Sequence, residues 1–251
     1  EVSIDLKAVV KRSRNVAGRL STGVAHLLKK NKVTVFDDRA MLGKAVSGRR
    51  EVKLDGGGVL SAKHVILATG ARARALPGIE ADGSSILTYR EAMVPETMPK
   101  SLLVVGSGAI GMEFASFYND LGADVTVVEV MDRILPVEDE EIAAFAHKQF
   151  EKQGMTIHAG AQVTKLDRAA NSVTATIEAG GKSSQITVDR VILAVGIVGN
   201  VEDLGLEGTK VKVDRTHIGV DHWAQTGEPG ICAIGDVAGP PWLAHKASHE
   251  G

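Results

Sequence analysis

The sequence has little of what marks secreted, membrane-bound or nucleic-acid-binding proteins. Cys232 is its one cysteine, so no disulfide can form within the chain. The formal net charge of −2 gives no positive field for nucleic acid or for an anionic membrane. No apolar run approaches the length of a membrane span, and no secretory signal peptide is visible. We therefore expect a soluble, intracellular protein without membrane or nucleic-acid partners.

The two ends of the sequence lack the features of natural domain ends. The first residue is Glu1 rather than methionine, and Gly251 directly follows an apparent helix from Leu243 to Glu250. Natural domains rarely end within an element, so we expect a fragment of a longer protein. Hydrophobic residues make up 44% of the 251 positions, which is enough for the core of one large domain or of two modest ones.

The most informative segment is a glycine-rich turn between a strand and a helix. The sequence Gly106-Ser107-Gly108-Ala109-Ile110-Gly111 follows the apolar run Leu102–Val105 and precedes a helical stretch from Met112 to Leu121. A second apolar run, Val125–Val128, ends at Glu129. This acid lies about 20 residues after the turn, where the dinucleotide-binding fingerprint has one. The order of strand, glycine turn, helix, strand and acid predicts a dinucleotide-binding unit.

Each part of this segment has a physical task in binding a dinucleotide. Glycine lets the pyrophosphate approach the backbone closely, and the helix N-terminus supplies unpaired N–H groups and a positive dipole end. Glu129 would accept hydrogen bonds from the adenosine ribose hydroxyls, and its carboxylate repels a 2′-phosphate, so the pattern favours NAD over NADP. The alternative is a glycine-rich turn in an unrelated α/β domain. The residues expected to hold NAD by this reasoning are Gly106, Gly108, Ala109, Ile110, Gly111 and Glu129.

Hydrophobic periodicity and turn residues divide the rest of the chain into α and β segments. Residues 5–30 are predicted to form a helix with Asp5 as its N-cap, and residues 138–153 a second long helix. Residues 71–100 are predicted to be a loop-rich linker. Strands are predicted at Val33–Phe36, near Glu51–Leu54, and at Val65–Leu67, Thr156–His158, Val173–Glu178, Ser184–Val188, Val191–Val195 and Ile231–Ile234.

Four short motifs occur in the order found in one enzyme family. They are Ala68-Thr69-Gly70, the glycine turn, Ile231–Asp236 and Pro241–Ala247. Together they make the chain similar to the flavoprotein disulfide reductases over essentially its whole length. The resemblance implies an α/β fold with two Rossmann-like domains that bind FAD and NAD. The FAD domain would be discontinuous, with residues 1–95 as its middle part and residues 212–251 as its return part, and residues 96–211 would form an inserted NAD domain.

The resemblance also implies individual contacts to the two cofactors. Asp236 would bond the ribityl chain of FAD, and the helix starting near Leu243 would direct its N-terminal amides at the flavin. Glu113 would lie near the contact between flavin and nicotinamide, Gly196 beside the nicotinamide, and Val163 at the adenine side of NAD. Each residue also has an ordinary structural alternative, as a helix-terminal acid, a turn residue or a strand residue. The residues implied for FAD are Ala68, Thr69, Gly70, Asp236, Trp242, Leu243, Ala244 and His245.

The chain departs from the family's pattern at several places. The family's redox-active cysteine pair, its first glycine fingerprint and its His–Glu acid/base pair have no match here. Asp38 stands where glycine is common, Trp242 stands where methionine is common, and Gly196–Asn200 replaces a common Gly-Arg-x-Pro-Asn. His245 and His249 lie four residues apart, but no third ligand is placed with them, so no metal site is predicted.

The resemblance implies an electron-transfer enzyme, and within the family Val127–Pro136 and Pro241–Ala247 resemble the members that oxidise protein-bound dihydrolipoamide. The parent protein would pass electrons from dihydrolipoamide through a disulfide and FAD to NAD. It would be a homodimer serving the lipoyl-bearing subunit of a 2-oxo acid dehydrogenase complex, in the bacterial cytoplasm or the mitochondrial matrix. This chain would carry the NAD site and part of the FAD site, and would be inactive alone. Two alternatives stay open: another flavoprotein disulfide reductase, directed at glutathione or mercury, and an NAD-binding fragment without catalysis.

Overall fold

The structure is a computed structural model that describes residues 3–251 and divides into two compact units. The inserted unit comprises Ala73–Gly196 together with residues 3–25, and the discontinuous unit comprises His26–Arg72 and Ile197–Gly251. The helices of the described residues are α1 Leu6–Lys30, α2 Tyr89–Ala92, α3 Ala109–Asp120, α4 Glu140–Lys152 and α5 Ala244–Glu250, with a 3₁₀ turn at Gly235–Ala238. The strands are β1 Ala40–Val46, β2 Arg49–Leu54, β3 Val59–Ala62, β4 Val65–Leu67, β5 Ala71–Ala73, β6 Ile86–Leu87, β7 Ser101–Val105, β8 Asp124–Glu129, β9 Thr156–Ala159, β10 Ala161–Arg168, β11 Val173–Ala179, β12 Lys182–Val188, β13 Arg190–Leu193, β14 Ile197–Gly199, β15 Val213–Asp214, β16 His217–Ile218 and β17 Ile231–Ala233.

The two units differ in extent from the predicted domains. β6 pairs in parallel with β13, so the chain joins the inserted unit well before residue 96. After Gly196, the side chains of Val201, Leu204 and Val211 pack against the core of the discontinuous unit, so the inserted unit ends well before residue 211. Packing of short apolar stretches thus sets the limits of the units. The predicted linker over residues 71–100 contains two short strands, β5 and β6, and the helical turn α2.

A parallel sheet forms the centre of the inserted unit, with the strand order β6-β13-β7-β8-β9. Residues Leu102–Val105 of β7 pair with β13 on one side and with β8 on the other, and all four are buried. A parallel strand covered on both faces reads as a continuous apolar run, which is how this strand and β13 appear in the sequence. The predicted α/β class is therefore confirmed.

The two faces of this sheet are covered by different elements. On one face Val104 and Ile192 pack with Met112 and Ala115 of α3. On the other face the sheet packs against a three-stranded antiparallel sheet of order β10-β11-β12. The sequence predicted β11 and β12 but not β10, because a bulge between Val163 and Lys165 interrupts the alternation of buried and exposed residues along that strand. α4 has Asp139 as its N-cap, whose carboxylate accepts from the N–H groups of the next turn.

The discontinuous unit is built from short strands around a small core. β1, β2 and β3 form an antiparallel sheet, while β4 and β17 pair in parallel. Two further pairs, β14 with β5 and β15 with β16, complete its strands. The predicted strand at Val33–Phe36 is wrong, because these residues are irregular and exposed. A β-branched segment becomes a strand only when a neighbour accepts its hydrogen bonds, and no described strand pairs with this one.

Helix α1 confirms the predicted span and cap, since the Ala8 N–H donates to the Asp5 carboxylate at 3.0 Å. No residue of this helix is buried by the rest of the described chain, and Leu20 and Val24 are more than half exposed. The helix therefore has the apolar spacing of a packed helix without a covering surface in residues 3–251. None of the helices in that range is both long enough and apolar enough to cross a membrane.

Asp82 organises the turn that leads into β6. Its Oδ1 accepts from the backbone N–H groups of Ser84, Ser85 and Ile86 at 2.7 to 2.9 Å, and its Oδ2 accepts from Arg168 of β10 at 3.0 Å. Burial alone would raise the pKa of Asp82, but these backbone and guanidinium donors together lower it well below its ordinary value. The charged carboxylate thus fastens β6 to the antiparallel sheet.

We predict that Asp82→Asn lowers the free energy of unfolding by about 2 kcal/mol at neutral pH, because it weakens several charge-assisted hydrogen bonds. A carboxyl group with a depressed pKa stabilises the fold above its unfolded pKa of about 3.9, and this stability is lost as the pH falls through the lower folded pKa. The deficit of the variant should therefore be constant from about pH 7 to about pH 5 and shrink below about pH 4. Chemical denaturation at a series of pH values measures it.

Asp167→Asn is the matched control, since Asp167 is half exposed and, among residues 3–251, pairs only with the exposed Lys165. This change should cost less than about 0.5 kcal/mol at every pH. Equal effects of the two substitutions would contradict the role assigned to the Asp82 turn.

Candidate cofactor sites

The glycine turn after β7 holds two glycines that the fold itself requires and one that it does not. A Cβ on Gly106, whose φ is +98°, would lie 2.4 Å from the Ala194 carbonyl oxygen. A Cβ on Gly111 would lie 2.0 Å from the Gly106 carbonyl oxygen, where α3 approaches the turn. A Cβ on Gly108 would meet no protein atom within 4 Å. Gly108 therefore borders open space, so two physical reasons for glycine remain: its N-cap position, where glycine is favoured, and close approach of an external group.

Helix α3 begins at this open space without a side-chain cap. Its N-cap is Gly108, and no side chain accepts from its first N–H groups. The helix runs for 12 residues, so its N-terminus carries unpaired donors and a positive dipole end. Ala109, Ile110 and Gly111 form its first turn, so the helix begins three residues before the predicted start at Met112. This turn fits a pyrophosphate group.

Glu129 lies beside the same turn, because β8 neighbours β7 in the sheet and the two parallel strands end at one edge. Its side chain is buried, with 6% exposure, and Ser107 is fully buried. Oε2 of Glu129 accepts from the backbone N–H and from the hydroxyl of Ser107, each at 2.7 Å. Oε1 accepts from the Met131 N–H at 2.8 Å. The carboxylate is therefore held in one position next to the glycine turn, as a ribose diol acceptor must be.

The other residues expected around NAD have different surroundings. Gly196 follows β13 with a φ of +102°, and its carbonyl accepts from the Arg74 N–H at 3.0 Å, so a backbone turn explains glycine here. Glu113 is exposed in the second turn of α3. Val163 belongs to the core of the inserted unit with 4% exposure, so packing accounts for it, and its contact with adenine stays a prediction.

The two sequence segments expected around FAD meet at one edge of the discontinuous unit. β4 pairs in parallel with β17, with Leu67 opposite Ala233, so Ala68-Thr69-Gly70 and Ile234–Asp236 leave the pair side by side. The Thr69 hydroxyl donates to the Asn200 carbonyl at 2.8 Å, and the Asn200 side-chain amide donates to the Thr69 carbonyl at 2.9 Å. The sequence did not predict a role for Asn200. The one signal was that Gly196–Asn200 differs from the family's common Gly-Arg-x-Pro-Asn.

Asp236 lies in the 3₁₀ turn that follows β17, and α5 holds this turn. The Gly235 N–H donates to Oε2 of Glu250 at 2.8 Å, and Lys246 pairs with Oε1 of Glu250 at 2.9 Å. The hydrogen bond from Gly235, followed by that from Lys246, lowers the pKa of Glu250. The carboxylate of Asp236 accepts no hydrogen bond from residues 3–251, so it is available to a hydroxyl of a ligand. The site fits the ribityl hydroxyls expected there.

The remaining residues expected at FAD follow this turn. Leu243 is the N-cap of α5, which has seven residues and includes Ala244 and His245. Trp242 is 43% exposed and stacks on His217, with ring centroids 5.7 Å apart. Across the described range, no group of three or more His, Cys, Asp or Glu side chains is arranged to hold a metal ion.

Arg72 forms a polar cluster that the sequence did not indicate. Its guanidinium binds both carboxylate oxygens of Glu202 at 2.7 and 2.9 Å and also donates to the Asn200 side chain and the Gly199 carbonyl. The pKa of Glu202 is lowered, first of all by the hydrogen bond from Arg72. Such a cluster of residues distant in sequence has no local pattern, so only the fold brings it together.

Comparison with known proteins gives a consistent result. The family model of the pyridine nucleotide-disulphide oxidoreductases matches residues 2–251. A dihydrolipoyl dehydrogenase of Rhizobium etli is 54% identical over 265 aligned residues, which cover 100% of this chain and 55% of the relative. A dihydrolipoyl dehydrogenase of Zymomonas mobilis is 46% identical, and the alignment covers 98% of this chain and 53% of the relative. The chain thus spans about half the length of these curated relatives.

Solved structures agree with the sequence comparison. LpdA from Mycobacterium tuberculosis superposes with a TM-score of 0.90 at 30% identity, covering 99% of this chain and 55% of that one. The flavoprotein disulfide reductase RclA from Escherichia coli superposes with a TM-score of 0.85 at 24% identity, which supports the fold alone. The site geometry, the match along nearly the whole length and these relatives lead to one conclusion: the chain belongs to the pyridine nucleotide-disulphide oxidoreductase family.

Proposed function

We propose that this chain supplies the NAD site and part of the FAD site of an NAD-dependent dihydrolipoyl dehydrogenase. The observation that carries the proposal is the buried Glu129 carboxylate, held beside an uncapped helix N-terminus and the open Gly108. The names of the relatives from Rhizobium etli and Zymomonas mobilis support the choice of substrate. Family members use FAD and NAD(H), and the residues described above fit both cofactors.

In the whole protein, two electrons would pass from dihydrolipoamide to a disulfide and then through FAD to NAD. The residues of this chain bind and orient the cofactors. The α3 N-terminus attracts the pyrophosphate of NAD, and Glu129 receives the adenosine ribose. Asp236 accepts from the ribityl hydroxyls of FAD. The other proposed FAD contacts are Ala68, Thr69, Gly70, Trp242, Leu243, Ala244 and His245. The other proposed NAD contacts are Val163 and Gly196, and Glu113 would lie near the contact between flavin and nicotinamide.

This chain lacks the groups that would handle the sulfur chemistry. Its one cysteine, Cys232, is partly buried in β17, and a dithiol step needs two thiols. A disulfide partner and an acid/base pair would have to come from residues that the chain does not contain. We therefore assign it the cofactor-binding part of the reaction.

Glu129 also bears on the choice among related reductases. A carboxylate at this position accepts ribose hydroxyls and repels a 2′-phosphate, so it favours NADH over NADPH. Reductases directed at glutathione or mercury usually take NADPH, and the relatives at 54% and 46% identity have neither name. The proposed partner is the lipoyl-bearing subunit of a 2-oxo acid dehydrogenase complex, with the parent protein a homodimer. The bacterial sources of both relatives favour the cytoplasm over the mitochondrial matrix.

Glu129→Gln should raise the Kd for NADH roughly tenfold, because a charge-assisted acceptor of the ribose diol is lost. The Kd for NADPH should rise less or fall, because the repulsion of the 2′-phosphate is also removed. Titration of the purified chain with each nucleotide, followed by fluorescence, measures both constants. Glu178→Gln, at the exposed end of β11, is the control and should leave both unchanged. An unchanged NADH affinity in Glu129→Gln would refute the proposed site.

The glycines of the turn offer a second test, since two neighbouring substitutions should act differently. Gly108→Ala should weaken NADH binding at least about tenfold, because its Cβ enters the space assigned to the pyrophosphate. It should cost no more than about 1 kcal/mol of stability. Gly111→Ala should destabilise the chain by about 1 to 3 kcal/mol, because its Cβ collides with the Gly106 carbonyl. Thermal melting and nucleotide titration together separate the two effects, and full NADH affinity in Gly108→Ala would argue against the site.

The purified 251-residue chain should show no NAD reduction with dihydrolipoamide, because it lacks the required thiols. An absorbance assay at the NADH band, on material shown by mass spectrometry to be free of longer protein, measures this. Turnover above the buffer blank would disprove the assignment of the chain to cofactor binding alone.

A further inference from the structure

Ser107 is a buried residue of the glycine turn whose side chain the proposed function does not use. Its hydroxyl donates to Oε2 of Glu129 at 2.7 Å, and its backbone N–H donates to the same oxygen at the same distance. The residue is fully buried. The second position of the turn thus contributes two of the three hydrogen bonds that Glu129 receives.

The acceptor capacity of the carboxylate limits what a ribose can add. Each carboxylate oxygen offers about two lone-pair sites. Oε2 is filled by the two donors of Ser107, whereas Oε1 accepts only from the Met131 N–H and has one site left. A ribose diol presents two adjacent O–H donors. One can use the vacant site on Oε1, but the second finds Oε2 occupied.

The three donors to the Glu129 carboxylate differ in how readily they can give up their hydrogen bonds. The N–H groups of Ser107 and Met131 belong to the backbone of two tight turns, so moving either would displace a loop. The Ser107 hydroxyl can turn away by rotation about one bond. Glu129 is the only acceptor of this hydroxyl within residues 3–251, so turning it away leaves a buried donor without a partner, which is unfavourable.

We propose that Ser107 is a positioning residue whose hydroxyl competes with the adenosine ribose for Glu129 and thereby weakens NADH binding. The inference rests on the proposed NAD site and extends it. The hydroxyl holds the carboxylate in place before the nucleotide arrives, and the nucleotide must displace it to make its second hydrogen bond. Removing the hydroxyl therefore strengthens binding, whereas loss of an ordinary structural contact would weaken it or leave it unchanged.

The experiment measures the Kd of the purified chain for NADH and for an NADH analogue that lacks the adenosine 2′-hydroxyl. Ser107→Ala should lower the Kd for NADH about threefold to tenfold. It should leave the Kd for the deoxy analogue unchanged, because a single hydroxyl uses the vacant site on Oε1. Ser107→Cys fills nearly the same space with a weak donor, so it should also bind NADH more tightly. It provides the test if the alanine variant does not fold.

The controls separate the inference from the proposed function. Ser184→Ala, on the exposed part of β12, should leave both constants unchanged. The competition is disproved, while the NAD site stands, if Ser107→Ala binds NADH no more tightly than the unaltered chain does. The same holds if the substitution lowers the Kd for NADH and the Kd for the deoxy analogue by the same factor. If the unaltered chain binds no NADH, or Glu129→Gln binds it as well as the unaltered chain does, the proposed site fails and the inference fails with it.

Discussion

The account depends on one buried carboxylate. Glu129 is held by the backbone of two turns and by one hydroxyl, at the edge where β7 and β8 end together. A charged group is stable in such a place only because hydrogen bonds replace its water. Those bonds also leave it limited capacity for further donors. We propose that a carboxylate at this position receives a ribose diol and repels a 2′-phosphate.

The three glycines of the turn have separate physical reasons, although the sequence pattern presents them as one motif. Gly106 and Gly111 are glycine because the Ala194 and Gly106 carbonyls leave no room for a Cβ. Gly108 borders open space, so it is the position at which we propose close approach by a ligand. The expectation that glycine serves the pyrophosphate thus applies most directly to Gly108, while the other two maintain the packing of α3 on the sheet.

Much of the fold could be predicted from local patterns. The parallel strands β7, β8 and β13 are buried on both faces and read as apolar runs, and α1 has the N-cap that the sequence indicated. The predictions failed where structure depends on distant partners. Val33–Phe36 has the composition of a strand but no described neighbour, whereas β10 pairs with β11 although a bulge interrupts its alternation. The limits of the two units depend on where β6 pairs, which no local pattern reveals. The links of Thr69 with Asn200, and of Ser107 with Glu129, were invisible for the same reason.

The most direct test is a crystal structure of the chain with NADH bound. The account predicts the adenosine ribose hydroxyls within hydrogen-bond distance of the Glu129 carboxylate, and the pyrophosphate against the N–H groups of Ala109, Ile110 and Gly111. NADH bound elsewhere, or a Glu129 carboxylate that keeps its three internal hydrogen bonds and touches no part of the nucleotide, would contradict it.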